Sequence, residues 1–133
     1  MTGRSNLRTS LAAAAAVAAS PALAEPPTRI GTCATTTVTR IGTRFSDKLV
    51  KPKGDDPGEG TSFALANGVY GVSYGFIPEV AASRIGDRVI TCLVSIPKGC
   101  PKGDDRGRFY TTTNLRTQES WTAADSQHMC GGA

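Results

Sequence analysis

Four cysteines constrain this chain more than any other feature. Cys33, Cys92, Cys100 and Cys130 follow one another at spacings of 59, 8 and 30 residues, with no C-x-x-C pair and one histidine, His128, to assist them. Zinc sites bring their ligands in close pairs, so this spacing argues against zinc and for two disulfides. An oxidising compartment favours disulfides. The start of the chain supplies the route there: "MTGRSNLRTSLAAAAAVAASPALA" has Arg4 and Arg8, an apolar run from Leu11 to Ala19, and a small-residue exit at Ala22-Leu23-Ala24. This is the three-part pattern of a signal peptide, residues 1–24, cleaved near Ala24. The run is too short to span a bilayer, which takes about 20 residues. Export to the periplasm or beyond the cell is the expected localisation.

Residues 25–133 then form one small domain. Removal of the leader takes two arginines and no acid, leaving 13 basic residues against 11 acidic, a net charge of +2 instead of +4. So weak a balance argues against nucleic-acid binding, which needs a basic stripe and stacking aromatics. Arg40, Arg44, Arg84, Arg88, Arg106 and Arg108 read as a solvated mixed surface.

The periodicity is that of strands. "TCATTTVTRIGTRF" and "RVITCLVSI" are rich in Thr, Val and Ile, which suit a pleated, half-buried surface. "ALANGVYGVSY" places Asn-Gly between apolar flanks, a hairpin signal. "RFYTTTNLRTQESW" reads as a second hairpin turning at Asn114 to Thr117, with Tyr110 across from Trp121. Only "PEVAASR", Pro78 to Arg84, looks helical. The expected fold is all-β, a small antiparallel barrel or sandwich of roughly six to eight strands stapled by two disulfides. Four cysteines allow three connectivities. A hairpin centred between Leu115 and Arg116 sets Cys100 near Cys130, which favours Cys100 with Cys130 and Cys33 with Cys92.

Two halves of the chain resemble each other. "RIGTRFSDKLV", Arg40 to Val50, matches "RIGDRVITCLV", Arg84 to Val94, and each is followed by Pro-Lys-Gly. Beyond these, "TSFALANGVYGVSY" aligns with the second hairpin, giving related halves at about 29–74 and 78–121. "PKGDD" itself occurs at Pro52 to Asp56 and at Pro101 to Asp105. Turn chemistry explains both copies, since Pro presets φ, Gly supplies positive φ and Asp bonds nearby backbone. Calcium would draw on Asp55, Asp56 and Glu59, or on Asp104 and Asp105, but neither loop has the D-x-[DN]-x-[DN]-G spacing and each carries a Lys. No metal and no cofactor are expected.

Catalytic candidates are sparse. Asp125, Ser126 and His128 lie within four positions, too close along one segment for the hydrogen-bonded relay of a hydrolase. A glycosidase pair from Glu79, Glu119 or Asp104 would need a cleft that a domain this small has little room for. The chain reads as no enzyme, with a small hydrolase using His128 as one alternative. Tyr70, Tyr74, Tyr110, Trp121 and Arg116 are the residue types that dominate interfaces, while an alternating hairpin suits Tyr110 and Trp121 equally to the core.

The stretch "CLVSIPKGCPKGDDRGRFYTTTNLRTQESW", with the tail "DSQHMCGGA", resembles small secreted proteins of unknown function from rhizobia and related alphaproteobacteria, over most of the exported part. That resemblance implies export, disulfides and a β-rich domain, and carries no activity. "EGTSF", Glu59 to Phe63, is similar to the S-G-x-x-Y loop of periplasmic inhibitors of C-type lysozyme, with Glu59 in place of the Ser and Phe63 in place of the Tyr. It implies an exposed binding loop at Gly60, Thr61, Ser62 and Phe63, to which the hairpin-tip Arg116 is added. The resulting expectation is a monomeric, non-catalytic binding module whose partner is a protein or component of the cell envelope, with a lysozyme inhibitor as the concrete alternative.

Overall fold

A computed structural model describes residues 1–3, 11–18 and 24–133. Most of the flanks of the expected leader, residues 4–10 and 19–23, lie outside the described residues. Among the described residues, Pro27 is the first that is buried. No helix among the described residues is long and apolar enough to cross a membrane.

Alternation of apolar and polar residues sets the architecture. The chain forms β1 (Cys33–Gly42), β2 (Thr61–Leu65), β3 (Tyr70–Ser73), one helical turn α1 (Pro78–Ala81), β4 (Arg88–Ser95), β5 (Phe109–Asn114) and β6 (Ser120–Ala124). All pairings are antiparallel and the sheet closes into a six-stranded barrel in the order β1-β2-β3-β6-β5-β4. Val89, Thr91 and Leu93 of β4, Tyr110, Thr112 and Asn114 of β5, and Trp121 and Ala123 of β6 are all buried, while their neighbours along each strand are not. This period of two is what a sheet with one face inside requires.

β1 serves two partners. Its first half pairs with β4 from Cys33 opposite Cys92 to Thr37 opposite Arg88, and its second half pairs with β2 from Val38 opposite Leu65 to Gly42 opposite Ser62. An irregularity between Val38 and Arg40 marks the bend. Bulges of this kind let a strand turn a barrel corner. Inside, Phe63 meets Trp121 edge-on, with ring centroids 5.4 Å apart, and Val80 of α1 joins the same cluster. Gly71, opposite Phe63, makes room for that ring, because a Cβ there would collide with it.

The disulfides join Cys33 to Cys92 and Cys100 to Cys130, the expected pairing. Each half of the chain contributes one strand, a long connection containing Pro-Lys-Gly, and a hairpin. The matched Arg-Ile-Gly triplets nevertheless sit in different settings: Arg40 to Gly42 end β1, whereas Arg84 to Gly86 precede β4.

Two expectations need correction. Tyr110 lies opposite Ala123 and Trp121 opposite Thr112, so the last hairpin is displaced by two residues from the expected register. The cause is the loop from Leu115 to Glu119, which is anchored by the Asn114 side chain and takes a left-handed residue at Gln118 (φ 61°). Gly60 to Phe63, expected as an exposed loop, instead run into the buried strand β2: Thr61 and Ser62 are fully buried and Phe63 is 1% exposed. An aromatic residue there fills the core and has no access to a partner. The inhibitor-like loop is therefore absent from this position.

Candidate functional site

The least-paired seam of the barrel lies between β3 and β6, which share one paired position, Val72 opposite Ala124. Over it lies a cleft of about 370 Å³. Val72 to Gly75 form one side, Phe109 and Thr122 to Ala124 the floor, and Ser126, Gln127 and Met129 of the C-terminal tail the other wall. Val72 is 4% exposed yet stands outside the core cluster, as befits a residue facing the outer surface beneath the cleft.

The tail is held there by several ties. Asp125 Oδ1 accepts from the backbone N–H groups of Gly107 and Arg108 (2.8 and 3.1 Å), and the N–H of Cys130 donates to Arg106 O. The Cys100–Cys130 bridge fixes the end. Asp104 accepts two hydrogen bonds of 2.9 Å from the Arg106 guanidinium and one of 2.9 Å from Gly131 N–H. The guanidinium first and then the Gly131 N–H hold the Asp104 carboxyl well below the usual carboxylate range.

Arg44 lies at the rim. At the end of β1, Thr43 Oγ1 accepts from the N–H groups of Phe45 and Ser46, a tight side-chain-capped turn that carries Arg44 and Phe45 towards β3. The Arg44 guanidinium carbon sits 4.7 Å from the Phe45 ring centroid and 4.5 Å from that of Tyr74. Its Nε donates to Glu59 O (3.2 Å) and its Nη1 to Gln127 Oε1 (3.5 Å). Tyr74 Oη donates to Gln127 O. Gly60 makes this approach possible, since a Cβ there would collide with the Ser73 carbonyl and lie 3.0 Å from Arg44 Nε. Both rings remain exposed, Phe45 by 70% and Tyr74 by 56%.

The other candidates are spread over the molecule. Tyr110 and Trp121 belong to the core and Tyr70 is half-buried on β3. Arg116 is exposed at its hairpin tip, but its guanidinium is turned down onto Asp87 and the Ala82 carbonyl. His128 is exposed; Ser126 Oγ accepts from its backbone N–H, and Asp125 bonds backbone, so the three side chains form no relay. Glu79, Glu119, Asp104 and His128 do not line the cleft.

As for the paired acids, Asp56 Oδ1 accepts from Gly58 N–H (2.8 Å), Asp104 is committed as described, and Asp105 lies 3.8 Å from Arg108. Turn-making thus accounts for the geometry of both "PKGDD" copies. No group of three or more His, Cys, Asp or Glu side chains positioned to hold a metal occurs among the described residues. A second, open hollow of about 380 Å³ is lined by residues between 43 and 59, among them Lys48, Lys51, Lys53, Asp56 and Glu59.

Sequence reasoning weighed Tyr74 for binding, read Arg44 as part of a solvated surface, took the tail only as a catalytic candidate, and passed over Phe45 and Phe109. The signal for the site was local and small: an aromatic residue after an arginine in a polar turn, and a disulfide-tied tail beside a hairpin.

No family model matches the chain, and no curated protein and no solved structure matches it. Fold and site together define a small disulfide-closed antiparallel barrel with an aromatic-flanked arginine at the rim of a surface cleft.

Proposed function

We propose that the chain is a non-catalytic binding module of the cell envelope or the extracellular space, and that the seam cleft is its binding face. One observation carries this above all: the covalently tied tail walls a partly apolar cleft whose rim presents exposed Phe45 and Tyr74 around Arg44. Aromatic and arginine side chains supply most of the energy at binding surfaces. A cleft with an apolar floor and few oriented polar groups is the usual form of a ligand site. The two disulfides suit an oxidising compartment, in keeping with the leader pattern of the sequence.

The test is capture from a cell-envelope extract by the oxidised protein, compared with Ala124→Trp and Thr122→Trp, which fill the cleft from its floor. The binding role predicts saturable capture of one partner by the native protein at low and high salt, abolished in both variants. Capture that is unaltered by both substitutions, or that vanishes with salt as diffuse charge attraction does, would contradict it.

A further inference from the structure

Resting on the binding role proposed above, we infer that the seam cleft takes the free C-terminus of an extended polypeptide, with its carboxylate on Arg44 and an apolar last side chain against Phe109 and Met129. Three features converge on this ligand.

The first is the state of Arg44. Its Nε and Nη1 are occupied by Glu59 O and Gln127 Oε1, while Nη2 has no hydrogen-bond partner among the described residues. No carboxylate lies within ion-pair distance of Arg44 among those residues; the nearby Glu59 carboxylate accepts from Thr43 Oγ1 instead. A guanidinium never loses its charge at ordinary pH, and Nη2 together with the second hydrogen of Nη1 remains to meet a carboxylate's two oxygens. Stacking against two rings orients this fork before any ligand arrives, so little order is lost on binding. Tyr74 and Gln127, which hold Arg44, both line the cleft, and this sets the fork at its edge.

The second is the floor. Phe109 on the floor and Met129 on the tail wall are its apolar surface, over a Val72 that is itself 4% exposed. Met129 is 47% exposed, and its unbranched thioether adapts to side chains of different shape. A volume of about 370 Å³ is at the small end for ligand sites, which run from roughly 300 to 1,000 Å³. It suits one or two residues and no more.

The third is the main chain of the seam. Counting outward along the antiparallel pair from Val72 and Ala124, the next facing residues are Tyr74 and Thr122, and no backbone hydrogen bond joins them among the described residues. Both border the cleft. Open strand-edge groups pair with an extended peptide, which brings a run of backbone amides, whereas an oligoglucuronate has a carboxylate and no amide.

The test is an NMR titration of the oxidised protein with pentapeptides randomised at the first four positions and ending in Val, Leu or Phe, as free acids and as C-terminal amides. The expected result is that the acids shift the Arg44 Nε–H, Tyr74, Thr122 and Gln127 signals, and that amidation weakens binding tenfold or more. Arg44→Gln should weaken the acids equally and leave the amides unchanged, with Arg44→Lys between the two because it keeps the charge and loses the fork.

Equal binding of acids and amides, shifts produced by an oligoglucuronate in place of the peptides, or no shift at the cleft at millimolar peptide would overturn the inference. If capture from envelope extract still depends on an open cleft in that event, the binding role stands and only the peptide C-terminus fails.

Discussion

Arg116 grips Asp87 with two hydrogen bonds, Nε to Oδ1 and Nη2 to Oδ2, each 2.9 Å long. The Asp87 side chain is 9% exposed, and it also accepts from Asn114 Nδ2 and from the Arg84 backbone. Arg116 thus joins the β5–β6 loop to the turn before β4, and its place at a hairpin tip serves the fold. The Arg116 guanidinium foremost, helped by Asn114 and the Arg84 N–H against the opposing effect of burial, holds the Asp87 carboxyl well below its ordinary value of 3.8. A carboxylate depressed in the folded state adds stability that is complete above the unfolded value and is lost as pH falls through the folded one. Urea midpoints should therefore decline as pH drops below about 4, and Asp87→Asn should flatten that decline while lowering stability at neutral pH.

Asn114 closes the same network. It is fully buried, donating to Ser83 Oγ and Asp87 Oδ2 and accepting from the N–H groups of Arg116 and Thr117. Asn114→Ala leaves several of these groups without a partner, and equilibrium denaturation should register a loss of about 3 kcal/mol.

Gly60 tests the platform beneath Arg44. Its φ of 75° is left-handed, and a side chain there would meet the Ser73 carbonyl and Arg44. Gly60→Ala should destabilise the protein by about 2 kcal/mol or more through strain and crowding. The same substitution should move Arg44 off the Phe45 and Tyr74 rings, seen as a lost ring-current shift on its side-chain protons.

The disulfides should separate stability from binding. Cys33–Cys92 links paired positions of β1 and β4, while Cys100–Cys130 holds the tail that walls the cleft. Replacing either pair by serine should cost about 2–4 kcal/mol. Binding at the cleft, measured on folded protein, should fall sharply only in the Cys100→Ser/Cys130→Ser variant.

Much of the barrel was legible because local signals agreed with it. Alternation in "RVITCLVSI", Asn-Gly in the first hairpin and the cysteine spacings each depend on neighbours along the chain. The last hairpin slipped by two residues because its turn is set by the Asn114 side chain and a left-handed Gln118, which composition does not announce. Gly60 to Phe63 were misplaced because the resemblance of a five-residue stretch was set above the strand signal of the residues that follow it, and Phe63 fills the core. The cleft was illegible for a different reason: Arg44, Tyr74, Phe109 and Gln127 come from four distant parts of the chain, and only barrel closure brings them together.

The most direct measurement of the central claim is amide hydrogen exchange of the oxidised protein with and without the partner captured from envelope extract. The account predicts new protection at Tyr74, Thr122, Ala124 and Gln127, and none at the Asp87–Arg116 end of the barrel. Protection confined to that end, or to residues 46–59, would contradict it.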